Sequence, residues 1–178
     1  MGRGQGMTPE ERDLVMGLVL VPGKGRTRTL DEVLAHFGES DGGVLALRLL
    51  RDAMDRRDAD DVAMALIVKA AAGASGEEFL EPLIELSRAD WHTRHEDVVR
   101  MLGKLRSPRT VPALREAARW IPEYLDWDEN RALAVKAIWA LGAIPSAEAR
   151  EALEGLRDDE NEVIRENAVK QLERRGEL

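Results

Sequence analysis

"DENRALAVKAIWALG", residues 128–142, decides the fold, because "DENEVIRENAVKQLE", residues 159–173, repeats its pattern. The two stretches share a literal Asp-Glu-Asn and lie 31 residues apart, Asp128 on Asp159. Laid over each other, they pair Asn130 with Asn161, Leu133 with Ile164, Ala137 with Ala168, Ile138 with Val169 and Leu141 with Leu172. Counted from the Asn, the apolar partners fall three, seven, eight and eleven positions on, which is one stripe along a helix. Self-similarity at such a period marks an array of units that each bury a face against the next.

Further upstream, "LGKLRSPRTVPAL" (102–114) overlays "LGAIPSAEAREAL" (141–153) at an offset of 39. Before that, "VKAAAGASGEEFLEPL" (68–83) overlays "VRMLGKLRSPRTVPAL" (99–114) at 31. The period runs 31, 39, 31, and the extra residues fall in the connector "IPEYLDWDEN", 121–130. Each unit reads as helix, short turn, helix. Gly103 and Gly142 are expected just past helix ends, where a residue of positive φ stops a helix cheaply. Ser75 and Glu78 have the spacing of a capping box. Before residue 60 the repeat blurs, yet "TLDEVLAHF" and "VLALRLLRDAM" keep helical spacing, for about ten helices in all. "MTPEE" reads as a helix start with Thr8 as N-cap, Pro9 at N1 and Glu11 at N3. Residues 1–7 read as a disordered leader, and 8–178 as one domain with divergent helices over 8–59 and clear repeats over 60–178.

The pattern of "LGKLRSPRTVPAL", an acidic connector and "AVKAIWALG" resembles the short bacterial type of HEAT-like repeat, well over 60–178 and weakly over 8–59. The resemblance implies an all-α fold, an α-solenoid of helix pairs in a right-handed superhelical stack, with a broad face that binds something. More narrowly, "ADWHTRHEDVV" with the two later stretches resembles small actinobacterial HEAT-repeat proteins. Some small acidic proteins of that general type are immunity proteins that neutralise a toxin, a step of analogy rather than motif.

Composition narrows the chemistry. Aromatics are 4% of the chain and charged residues 34%, a balance that favours helix over sheet. The formal charge of −8 disfavours nucleic acid and suits a basic protein partner. The chain has no cysteine, which excludes disulfides, thiolate catalysis and Cys-based zinc sites. No apolar run approaches the ~20 residues of a membrane span, and "MGRGQG" lacks the apolar core of a signal peptide. The expectation is a cytoplasmic protein, monomeric when free.

The 121–130 connector is the candidate site. Tyr124 and Trp127 beside Asp126, Asp128 and Glu129 make the mixture of rigid aromatic area and charge found at binding hot spots. A purely structural alternative has an aromatic plugging the gap between helix pairs and Asp128 capping the next helix. Asp126-x-Asp128-x-Asn130 also begins like a calcium loop, but Arg131 takes the glycine position and Ala137 that of the bidentate glutamate. "WHTRHED", 91–97, precedes its own helix in the same way, with Thr93 as the expected cap and Glu96 at N3. The two connectors should share one edge, joining Trp91, His92 and His95 with Tyr124 and Trp127, and Trp120 borders the insert. His92 and His95 with Glu96 and Asp97 lack a third metal ligand of suitable spacing. Trp139 is expected in the core or partly lining a groove. "VPGKGRTRT", 21–29, lacks a phosphate-loop register and reads as a flexible basic connector.

No catalytic arrangement, nucleotide loop or cofactor site emerges, so the expectation is a non-catalytic protein-binding module without cofactors, of the immunity or antitoxin type. A generic scaffold or regulatory adaptor is the alternative. A DNA glycosylase or a chromophore lyase built on such repeats is a further one, and the glycosylase would require Arg94, Arg100, Lys104, Arg106, Arg109, Arg115 and Arg119 to cluster on one face.

Overall fold

The computed structural model describes residues 6–176, and among them every regular element is helical apart from one isolated bridge, Val21 with Gly25. The described residues hold ten α-helices, as the apolar spacing predicts, and the chain divides between Phe79 and Leu80 into two compact units.

In the first unit, α1 (Pro9–Met16), α2 (Leu30–Phe37), α3 (Gly42–Arg56) and α4 (Ala59–Ala71) pack around Val15, Val33, Leu45, Leu50 and Val62. Thr8 and Glu11 form the expected reciprocal capping box with Pro9 at N1. Most of the expected leader lies outside the described residues, but Met7 is tied down, its N–H donating to Asp61 at 2.9 Å. Asp61 is fully buried and also takes the Arg12 Nε–H at 2.8 Å and a bond from Arg56. The 21–29 connector is stitched to itself and to α1: Val21 and Gly25 exchange hydrogen bonds, and Thr27 and Arg28 both donate to the Gly17 carbonyl at 3.0 Å. Gly23 and Gly25 supply the positive φ this turn needs. After α4 the chain enters one 3₁₀ turn, Glu77–Phe79, rather than an α-helix capped at Ser75.

The second unit holds the later repeats. It contains α5 (Leu80–Leu86), α6 (His95–Leu105), α7 (Val111–Ala117), α8 (Ala132–Gly142), α9 (Ala147–Glu154) and α10 (Glu162–Arg174). α8 packs against α6 on one side and α10 on the other, with α7 and α9 behind it. Leu102, Leu114, Ile138, Leu141, Leu153 and Leu172, the positions the overlays pair, are buried between the layers.

Gly103 and Gly142 do a different job from the expected one. Both lie inside helices, and neither has positive φ. A Cβ on Gly103 would sit 2.7 Å from the Ala140 Cβ of α8, and one on Gly142 would fall on the Gln171 amide of α10. The repeated glycine therefore lets successive helices of the stack approach closely. The left-handed positions that end α3 and α6 are taken by Arg57 and Arg106, and a third arginine, Arg131, holds that conformation ahead of α8.

Candidate functional site

The site is built where α5 passes to α6 and α7 to α8. α6 begins at His95, and its preceding residue Arg94 offers no side-chain cap. α6 starts one residue later than a cap at Thr93 implies, and the Arg94 N–H just before it donates to His92 Nδ1 at 3.0 Å. Glu96 turns outward to pair with Lys136 of α8.

His92 and His95 lie face to face, with ring centroids 4.1 Å apart and planes within 16°. Both are interior, 2% and 0% exposed. His92 Nε2 sits 2.8 Å from the Leu86 carbonyl and His95 Nε2 2.6 Å from that of Ala89. A carbonyl only accepts, so both Nε2 atoms carry the proton and both Nδ1 atoms are acceptors. The His95 Nδ1 then accepts a hydrogen bond from the Tyr124 hydroxyl at 3.0 Å. Burial lowers the His92 basicity, partly offset by its bond to Leu86. Burial, reinforced by repulsion from His92, pushes His95 down to about 4. Both rings are therefore neutral at pH 7. Burial raises the Tyr124 phenol in turn, keeping its proton in place.

Around this pair the other rings close in. Trp91 stands edge-on to His92 at 5.4 Å, Trp120 edge-on to His95 at 4.8 Å, and Tyr124 lies over His95 at 5.6 Å. The two connectors do share one edge, and Trp91, His92, His95, Trp120 and Tyr124 form a single cluster. The histidines lie beneath the surface, though, so they support the patch and present nothing to a partner. Every ring nitrogen of the pair is engaged, and among the described residues no group of His, Asp and Glu is arranged to hold a metal.

The connector itself forms one 3₁₀ turn, Glu123–Leu125, with Leu125 buried as its anchor. Asp128 caps α8 as the structural alternative had it, its Oδ2 accepting the Ala132 N–H at 2.7 Å and its Oδ1 that of Asn130 at 3.1 Å. It is committed to the fold. Trp127 is not: it is 73% exposed, and its indole N–H donates to the Tyr124 carbonyl at 2.9 Å. That bond fixes a large apolar ring in solvent. Asp126 and Glu129 are exposed beside it and make no ion pair among the described residues. Two further residues belong to the surface, Ile121 at 45% exposure and the exposed Glu123. Nothing in the repeat pattern marks Ile121, since an apolar residue in a connector is expected to be buried.

The basic residues of 94–119 do not form one face. Arg109 pairs with Glu81 and Arg119 with Asp159, while Arg94 and Arg115 stand exposed. Arg100, Lys104 and Arg106 alone share a groove, whose other wall includes Trp139. Trp139 lines that groove and is not in the core: it is 45% exposed, its N–H donating to Asn167 Oδ1 at 3.0 Å with Arg174 over its ring at 4.9 Å.

A comparison with curated proteins gives no match. No helix of the described residues is long and apolar enough to cross a membrane. The family model of the PBS lyase HEAT-like repeat matches residues 133–159, from the first turn of α8 to the residues after α9. The match falls on the repeat unit that follows the aromatic edge, and the chain carries a HEAT-like repeat within an all-helical stack.

Proposed function

We propose that this protein is a non-catalytic inhibitor, of the immunity or antitoxin type, that grips a basic partner domain through the edge formed by Trp91, Ile121, Tyr124 and Trp127. HEAT-like repeats serve widely as protein-interaction scaffolds, and the fold supports that much by itself. The finer reading is carried by Trp127, an exposed tryptophan whose N–H is tied to the Tyr124 carbonyl, with the exposed Glu123, Asp126 and Glu129 near it in sequence. Interfaces concentrate their energy in such aromatic anchors, and a preordered anchor loses little entropy on binding. The carboxylates would speed encounter with a cationic surface, an effect that fades with salt. A cytoplasmic setting belongs to the same reading.

Affinity capture from the native lysate, wild type beside Trp127→Ala, tests it. Retention of one stoichiometric basic protein by the wild type and its loss from the variant is expected, with melting unchanged. Co-expression should then suppress that partner's toxicity. Capture of the same proteins by both forms, or a partner whose activity is untouched, rejects the reading.

A further inference from the structure

A second surface lies on α6 and α8, with chemistry opposite to the edge. Gly103, Ala140 and Ala143 form its floor, because the close approach of the two helices leaves no room there for larger side chains. Val135 and the Trp139 ring complete a carbon-lined groove of about 720 Å³. The Trp139 ring is a fixed wall, held by Asn167 through its N–H and by Arg174 across its face. Cations stand along the rim: Arg100, Lys104 and Arg106 on the α6 side and Lys136 on the α8 side.

Their partners decide what the rim can bind. Arg100 is paired with Asp97 at 2.8 Å and Lys136 with Glu96. Lys104 meets no carboxylate among the described residues, and Arg106 spends only its Nε–H, on the Ala143 carbonyl at 3.0 Å. The guanidinium fork of Arg106 thus keeps most of its donors for a carboxylate. Two cations without carboxylate partners beside a carbon floor, on a chain of net charge −8, make a small basic spot on an acidic protein.

We propose that this groove docks an acidic amphipathic helix of a partner protein, with apolar side chains on the Gly103–Ala140 floor against Trp139 and carboxylates on Lys104 and Arg106. A helix carrying apolar residues three and four apart presents a ridge suited to an apolar groove between two helices. Its glutamates, displaced to the flanks of that ridge, meet the rim. A nucleic-acid backbone fits less well: a carbon floor offers phosphates nothing, and half of the rim cations already have carboxylate partners. The groove and the aromatic edge are independent surfaces, so one can fail without the other.

The test titrates the full chain with three probes, followed by backbone-amide NMR. One is a helical peptide of about 20 residues with a Leu/Trp stripe flanked by glutamates; its twin has lysine at every glutamate; the third is a single-stranded oligonucleotide. The glutamate peptide is expected to bind, with shifts centred on Gly103, Trp139 and Ala143. Lys104→Glu should weaken it several-fold and Trp139→Ala about tenfold, while Asp126→Ala on the edge changes nothing. No binding of the glutamate peptide at millimolar concentration would overturn the proposal. So would equal binding of the lysine twin, tighter binding of the oligonucleotide, or indifference to both groove variants.

Discussion

The Tyr124 hydroxyl donates to His95 Nδ1 at 3.0 Å, and this bond fastens the connector before α8 to the first residue of α6. It is a contact between corresponding loops of successive repeats. Replacing Tyr124 by Phe keeps the ring stacked but leaves a buried nitrogen without its donor. The loss should be about 1–2 kcal/mol, read from urea unfolding. His95→Phe should cost more, because the Ala89 carbonyl is also abandoned.

Acid should act through the same pair. The His95 basicity is depressed to about 4 in the fold against an ordinary 6.5, so between these values the unfolded chain binds a proton that the native chain refuses. Stability from this ring is complete above pH 6.5 and declines as pH falls toward 4. The full decline is on the order of 3 kcal/mol at most. Titrating unfolding free energy for the wild type and a His95→Gln variant measures it. The variant should be flatter over this range.

Gly103→Ala separates the two jobs a helical glycine can do. Alanine has the better helix propensity by about 1 kcal/mol, so a glycine of no packing importance would be improved. The Ala140 Cβ only 2.7 Å from the new methyl predicts the reverse, a loss of about 1–3 kcal/mol. Pairing the change with Ala140→Gly should recover part of it, and a double-mutant cycle reads the coupling.

Asp61→Asn removes the charge that Arg12 and Arg56 share while keeping the side chain's shape. The Arg12 guanidinium, held above its usual basicity chiefly by the Asp61 hydrogen bond, cannot shed its own charge in compensation. A loss of about 3 kcal/mol is expected, with faster amide exchange at Met7.

The architecture was legible because buried residues repeat at helical spacing, and the pairings of Leu133 with Ile164 and Leu141 with Leu172 are core positions in both copies. Asp128 was legible as a cap, since capping is local. Thr93 is not the cap, because α6 begins at His95 with Arg94 before it, and a helix start of that precision is not written in the local pattern. Glycine is ambiguous in sequence for the same reason. Gly103 and Gly142 look like helix stops, but what fixes them is the neighbouring helix, which no local pattern contains. The nearness of the two connectors followed from repeat symmetry. Symmetry did not say that the histidines would lie under the tryptophans, and burial was the missing information. Trp139 sits in an apolar stripe that extends past the buried face, so its periodicity is compatible with the core or with a groove wall, and the structure has it lining the groove.

The histidine pair also has a mechanical consequence. The two imidazoles take the carbonyls of Leu86 and Ala89, so the chain leaving α5 is strapped to the start of α6 by flat rings. Flat rings have few torsions to relax, and theirs are pinned at both ends. The joint between these helices should therefore behave as a weld. A force applied to Trp127 would be passed through Tyr124 and His95 into the body of the stack, and any give would have to come from elsewhere along the chain.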